Sequence, residues 1–201
     1  MAGGLSSALA QEGKAIQLLP PRLEIGKPLM QALQARQSIR EFAGEKLSQQ
    51  LLSDLLWAGG GVNRPDGKRT APTASNRQEI DIYAALPEGL FLYNPKVHAL
   101  KQIHGEDIRA KAGTQAFVKE AAVNFVYVAD YARMGKASTS REITSSMATG
   151  FIAQNVYLYC ASEGLASVAR ANIDRPVLAK AMNLREDQAI TMSQSIGYPK
   201  K

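Results

Sequence analysis

Cysteine is nearly absent from this 201-residue chain. The single one, Cys160, rules out an intramolecular disulfide and any cysteine-rich zinc site. Set in Tyr157-Leu158-Tyr159-Cys160-Ala161, it reads as a small buried thiol. Histidine is as scarce: His98 and His104 are the only two, with no His-x-x-x-His spacing and no partner cysteine, so a metal site is not expected. No run approaches the roughly 20 apolar residues of a membrane-spanning helix. Charge of one sign never accumulates either. Lys and Arg outnumber Asp and Glu by 24 to 18, a net charge of +6, yet no block of like charges occurs and Lys200-Lys201 is only a pair. A nucleic-acid binder gathers its cations into a stripe with interleaved aromatics. Scattered as it is, the excess favours anionic ligands in general and argues against a nucleic-acid partner.

What is present is the composition of one globular domain, 45% hydrophobic and 21% charged, on a chain long enough for a single core. Residues 1–20 are set apart as an irregular leader, and 21–201 as the domain. Ser7-Ala8-Leu9-Ala10 resembles the small-residue end of a secretory signal, but the basic and apolar segments that should precede it are missing. Two readings stay open there, a trimmed exported precursor (periplasmic) or a chance match.

Pro28 suits the first turn of a helix reaching about Ala35. Next comes Gln34–Phe42, which places Arg36, Ser38, Arg40 and Phe42 at alternate positions. In an extended backbone those side chains share a side. Two guanidiniums flanking a hydroxyl then suit a phosphate, because the arginine fork matches phosphate oxygens; the plain alternative is a pair of solvated charges at a helix end. Leu47–Ala58 reads as a helix with Ser48 as N-cap, one apolar face of Leu51, Leu52, Leu55 and Leu56, and a stop at Gly59-Gly60-Gly61. From Gly59 to Gln78 there is a long loop without apolar periodicity. It is not a P-loop: five residues, not four, separate Gly61 from Gly67-Lys68, and Arg69 stands where Ser or Thr must hold magnesium.

Alternation at Ile80, Ile82, Ala84 and Leu86 gives a strand over 79–86, turned by Pro87-Glu88-Gly89 into a second over 90–93. Residues 105–119 read as helical with a break near Gly113, and Ala122–Ala129 as a central strand apolar on both faces. Ser140–Gly164 reads as one long helix with apolar residues on more than one face, hence a central helix or a subunit interface. A strand over 165–171, a helix from Asp174 to about Leu184 and a strand over 189–196 complete the chain. This order gives an α+β domain, an α/β three-layer arrangement of a sheet flanked by helices.

Together these segments resemble the FMN-dependent nitroreductase family. Arg36-Gln37-Ser38-Ile39-Arg40-Glu41-Phe42 is similar to its Arg-x-Ser-x-Arg/Lys-x-Phe/Tyr signature, and Leu51–Ala58 to the helix that follows. Ala71-Pro72-Thr73-Ala74-Ser75-Asn76-Arg77-Gln78 is similar to its Pro-Ser-x-x-Asn-x-Gln loop. Phe125–Asp130 is similar to an inner strand, Gln154-Asn155 and Gly164-Leu165 to the long helix and its exit, and Gly197-Tyr198-Pro199 ends the pattern. The resemblance implies a mixed sheet flanked by helices, with FMN at a homodimer interface. Arg36, Gln37, Ser38 and Arg40 would hold the FMN phosphate and ribityl chain. Pro72, Thr73, Ala74 and Asn76 would come from the other subunit to line the flavin ring. Gln115 and the Ala169-Arg170-Ala171 turn would lie near the ring, with Lys200 as the remnant of a basic tail. Two departures stand out: Arg170-Ala171 replaces a common Glu-Gly pair, and the chain stops soon after Pro199.

The activity implied is ping-pong reduction of electron-poor acceptors such as nitroaromatics, quinones or enones, with NADPH or NADH as reductant and no catalytic side chain. Alternatives are an FMN-dependent dehydrogenase of azoline-type or other small substrates, and a flavin-binding protein without turnover. Each site residue has a structural alternative: Ser38 capping a turn, Asn76 supporting its loop, Arg170 as a surface charge at a strand end. By family default the compartment is cytoplasmic. Acceptor specificity would lie in loops 59–78 and 131–140.

Overall fold

The computed structural model describes residues 15–135 and 140–201; the Ser7–Ala10 segment and part of the 131–140 loop lie outside them. Seven strands make one sheet: β1 (Ala15–Gln17), β2 (Ile80–Leu86), β3 (Gly89–Asn94), β4 (Ala99–His104), β5 (Val123–Asp130), β6 (Ala166–Arg170) and β7 (Gln188–Gly197). Their order is β1-β4-β3-β2-β5-β7-β6, and every neighbouring pair is antiparallel. The expected mixed sheet is therefore corrected to an antiparallel one. The long crossover after β5 does bring β6 back parallel to it, but β7 is inserted between the two, so no parallel neighbours result.

Four helices accompany the sheet: α1 (Leu29–Ala35), α2 (Gln49–Gly60), α3 (Arg141–Glu163) and α4 (Arg175–Ala181). Ser48 caps α2 as expected, its side chain accepting from the Leu51 amide at 3.2 Å, and Asp174 caps α4 through the Val177 amide at 3.2 Å. α2 does not stop at Gly59; it runs through Gly60, with Gly61 as its C-cap. A Cβ at Gly59 would sit 3.1 Å from Val156 Cγ2, and one at Gly60 3.1 Å from Ile82 Cδ1, so both glycines permit close packing of the helix on α3 and the sheet.

The core has two halves, one on each sheet face. Leu55 and Leu56 of α2 and Ile152 and Val156 of α3 pack on Ile82, Phe125 and Tyr127. On the opposite face Ile108, Ala112, Val118, Leu178 and Met182 pack on Tyr83, Val126 and Val128. Alternate residues of β5 thus serve opposite cores, which is why all eight are buried and the strand reads as continuously apolar. Burial of each large side chain such as Phe125 contributes about 1.5–3 kcal/mol.

Three expectations change. Residues 15–20, set apart with the leader, belong to the folded body: β1 pairs with β4 and Leu18 is buried in the core. β4 had no sequence signal because its apolar residues Ala99, Leu100 and Ile103 do not alternate, and a register shift near Leu90 and Phe91 accommodates it beside β3. Residues 105–119 form no α-helix. They make two short 3-10 turns, Arg109–Ala112 and Ala116–Glu120, separated by an extended Gly113. Gly113 lies against the side chain of Arg170, and a Cβ there would collide with Arg170 Nε.

Candidate functional site

Arg36 ends α1 in an extended conformation (φ −62°, ψ 121°). The chain then runs beside the outer strand: the Ile39 amide donates to the Ser167 carbonyl of β6 at 3.0 Å. A few residues on it changes partner to the segment after β7. Phe42 bridges to Pro199, the Ala43 amide donates to Tyr198 O at 2.9 Å, and the Lys200 amide donates to Glu41 O at 3.1 Å. The stretch thereby covers a sheet edge that would otherwise present unpaired backbone groups. Because the partner changes, strict alternation does not reach Phe42. Its ring packs with Phe117, Ala121, Ala166 and Val168, in the same small cluster as Ile39.

Arg36 and Ser38 do converge, and a residue absent from the sequence-based expectation explains how. Tyr157 of α3 accepts a hydrogen bond from the Ala169 amide at 2.7 Å, and its hydroxyl lies 2.9 Å from Ser38 Oγ. The Arg36 guanidinium stands over its ring, 5.3 Å from the centroid. One phenol therefore links Arg36, Ser38 and Ala169. If the Tyr157 hydroxyl donates to Ser38, the Ser38 hydrogen is left to point outward. Ser38 and Arg40 are exposed and Arg36 half-buried, so the node opens to solvent on its cationic side. Lys200, also exposed, lies further along the stretch, where its amide pairs with Glu41 and its side chain borders the surface beside Phe42 and Lys119.

Arg170 lies on the other side of β6. It is 8% exposed, so the reading as a surface charge is corrected. Its guanidinium donates to Ser195 Oγ (2.6 Å), Asn124 Oδ1 (3.0 Å) and Ala112 O (3.1 Å), and stands 5.8 Å from the Phe117 ring centroid. Among the described residues it has no carboxylate partner. Burial draws its pKa down to about 10. Gln115 sits between the two 3-10 turns, and its buried Oε1 has no hydrogen-bond partner. Ala171 is exposed at the strand end, as is Gln37 on the stretch.

The Pro72–Asn76 loop is elsewhere. Pro72, Ala74, Ser75 and Asn76 are exposed, and Ser75, Asn76 and Gln78 adopt positive φ of 53°, 52° and 52°. Such conformations persist where the surroundings over-determine them. Here Thr73 Oγ1 accepts from the Gln78 amide (2.9 Å), and Gln78 Nε2 donates to Gly67 O (2.9 Å) and Asn76 Oδ1 (3.1 Å). Among the described residues no hydrogen bond joins this loop to Arg36–Arg40 or Ala169–Ala171. The chain thus brings Arg36, Ser38 and the Ala169 amide together at Tyr157 and holds Arg170 on the opposite side of β6; Lys200, Gln115 and Pro72–Asn76 make no hydrogen bond to that node among the described residues. No cluster of metal-ligating side chains occurs among the described residues.

Residues 33–198 match the model of the nitroreductase family. The chain belongs to that family. It is 30% identical over 168 residues, 78% of this chain and 84% of the other, to a provisionally named nitroreductase of Methanocaldococcus jannaschii. A crystal structure from Ralstonia eutropha JMP134, also provisionally named a nitroreductase, shares 41% identity with a TM-score of 0.90, covering 99% of this chain and 97% of that one. Two structures at lower identity share the nitroreductase fold. One, from Desulfovibrio desulfuricans, was solved in complex with FMN (22% identity, TM-score 0.65, 87% and 88% covered). The other is the NADPH:FMN oxidoreductase of Vibrio harveyi, complexed with NAD+ (20%, TM-score 0.64, 86% and 69% covered).

Proposed function

We propose that this nitroreductase-family chain is an FMN-dependent oxidoreductase that takes reducing equivalents from NADPH or NADH and passes them to electron-poor small molecules such as nitroaromatics, quinones or enones. The observation that carries the reading is the node at Tyr157, where Arg36, Ser38 and the Ala169 amide converge, with exposed Arg40 two residues further along the same stretch. That donor set fits a phosphomonoester: cations for its charge, and a hydroxyl with a hydrogen to give. The unsatisfied buried Gln115 Oε1, between the two 3-10 turns, adds an acceptor without a partner, as a ring N–H would require. FMN, when bound, supplies the hydride chemistry. The residues of this chain hold the phosphate through Arg36, Arg40 and Ser38, fix the strand end at Ala169, and keep Arg170 charged and anchored beneath it.

A homodimer accompanies the reading. Ile143, Met147 and Phe151 stand one helical turn apart on α3 and are 65%, 59% and 46% exposed. Leu29, Met30 and Leu33 of α1 add further exposed apolar surface. A contiguous patch of this kind marks an interaction surface. A second copy would cover it and would bring a Pro72–Asn76 loop to a site that lacks one in its own chain. The test is direct. Purified protein should be yellow or take up FMN, and anaerobic NADPH or NADH should bleach it. Colourless protein that takes up no FMN sinks the flavin reading; bound flavin that neither nucleotide bleaches assigns a binding role without turnover.

A further inference from the structure

The cations that look scattered along the sequence are not scattered in the fold. A cleft of about 470 Å³ lies where β2 begins, β3 ends and β4 begins, and Arg69, Arg77, Lys96, Lys101 and Arg133 line it with Asp81 as the single carboxylate. Only one of the five is neutralised locally. Arg133 grips Asp81 through two bonds of 2.8 and 2.9 Å and lies 3.3 Å from Asp130. Arg77, Lys96 and Lys101 have no ion pair and no side-chain hydrogen bond among the described residues. Arg69 gives one bond to Ile80 O at 3.3 Å, while its buried Nε has no partner. A buried guanidinium N–H left unpaired calls for an explanation, and an absent acceptor is one.

The cleft has the other attributes of a small-molecule site. Its volume falls in the range of ligand pockets, and Leu92, Tyr93 and Pro95 give it an apolar wall. Tyr93 is held by His98 Nδ1 at 2.8 Å, which fixes that wall. Arg77 is held within the positive-φ run Ser75, Asn76 and Gln78, a backbone shape kept by the Thr73 and Gly67 contacts. None of the lining residues belongs to the Tyr157 node. In the sheet, β2 and β6 are separated by three inter-strand spacings, about 14 Å.

We propose that this cleft is a second ligand site, separate from the Tyr157 node, for a small phosphate-bearing molecule whose body packs on Leu92, Tyr93 and Pro95. Arg77, Lys96 and Lys101 meet the phosphate oxygens, and the Arg69 guanidinium lines the cleft behind them and adds its charge. The ion pair with Asp81 leaves Arg133 as a rigid wall of the cleft, not a free cation. The site shares no residue with the Tyr157 node, although Arg77 adjoins the Pro72–Asn76 loop that the dimer reading carries to a partner's flavin, so the two readings are told apart by the variants below.

Inorganic pyrophosphate serves as the probe, titrated calorimetrically into the full chain as purified, at low and at 0.5 M potassium chloride. Three proteins are compared: wild type, Arg77→Gln with Lys101→Gln, and Arg36→Gln with Arg40→Gln. Saturable binding should appear in wild type, weaken by about tenfold or more in the first variant and with added salt, and persist in the second. Lys96→Gln with Lys101→Gln, two fully exposed positions, repeats the test where folding is not at issue. Loss of binding in the Arg36/Arg40 variant with retention in the Arg77/Lys101 variant would place the anion at the other node and overturn the proposal. Absence of saturable binding in wild type overturns it as well, whether or not the protein carries flavin.

Discussion

Tyr157→Phe removes one oxygen atom and tests the node more sharply than any arginine substitution. The ring stays, so the Arg36 guanidinium keeps its cation–π contact, worth about 0.5–1 kcal/mol at such a partly exposed site. Two interactions go: the bond from the Ala169 amide at 2.7 Å and the contact with Ser38 Oγ at 2.9 Å. An ordinary hydrogen bond contributes about 0.5–1.5 kcal/mol net. Ala169 is only half-buried and water can replace part of the loss, so the stability cost should be about 1–2 kcal/mol, a fall in melting temperature of roughly 2–8 °C for a chain of this size. FMN affinity should suffer more. Without its orienting partner Ser38 no longer presents a fixed hydrogen, and a charge-assisted bond of about 1.5–3 kcal/mol corresponds to a loss of roughly ten- to a hundredfold. The assay is quenching of flavin fluorescence by apo protein, with the melting temperature of each apo form measured alongside. Tyr157→Phe and Ser38→Ala should also be strongly non-additive, the double variant binding about as weakly as the worse single one. Fully additive losses, or an FMN affinity within twofold of wild type, would refute the coupling through the phenol.

Replacing both Arg36 and Arg40 by Ala should cut FMN affinity by about two orders of magnitude while lowering the apo melting temperature by no more than about 4 °C, the worth of the Arg36–Tyr157 contact, since neither side chain has an ion pair among the described residues; a larger loss of apo stability would assign them a structural role. Met147→Glu, at a 59% exposed position on α3, should convert the homodimer to monomer in sedimentation and abolish flavin binding with it, whereas a monomeric wild type would refute the dimer reading directly. His98 predicts an acid limb in stability. Burial lowers its pKa below the ordinary histidine value of 6.5, against smaller opposing contributions from Leu19 O and Asp54, so the native state prefers the neutral ring. Its contribution is whole above pH 6.5 and declines as pH falls from there toward the lowered folded value, because the unfolded chain takes up the proton first. Melting temperature should therefore drop between pH 7 and pH 5 by more in wild type than in His98→Gln.

How much of this was legible beforehand follows from the range of the interactions involved. Caps and turns are local, so Ser48, Asp174 and the hairpin at Pro87-Glu88-Gly89 could be read directly. β5 could be placed at the centre because both its faces are apolar. β1 could not, since it is held by pairing with the distant β4, and β4, although the second arm of a hairpin with β3, carries no alternation of its own. The run 105–119 has helix-forming residues, but tertiary packing overrode propensity: Gly113 must sit flat against Arg170, and Ile108, Ala112 and Val118 reach the core from separate turns. The same limit hid Tyr157. A tyrosine in an apolar helix carries no mark that its hydroxyl will meet a serine 119 positions upstream.

Arg170 shows why residue type alone misleads at a site. In the sequence it is a basic residue at a strand end, which ordinarily means solvent. In the fold it satisfies Ser195, Asn124 and Ala112 O, binding β5, β6 and β7 to the first 3-10 turn where a carboxylate might have been expected. Neutral partners leave the positive charge largely uncompensated, and the lowered pKa registers that cost. At about 10 it still leaves the group charged at neutral pH, so a fixed cation lies beneath the strand end that carries Ala169 and Ala171. A reduced flavin bound there would be an anion facing a buried positive charge in a medium of low dielectric, which favours the reduced form. Substitution of Arg170 by Met removes the charge together with three buried hydrogen bonds, to Ser195, Asn124 and Ala112 O, and therefore confounds potential with fold. Gly113→Ala crowds Arg170 Nε and Cδ and Val118 Cγ2 but keeps the charge; a flavin potential that falls in Arg170→Met and stays near wild type in Gly113→Ala would tie the charge itself to the chemistry, and an equal shift in both would assign the effect to packing.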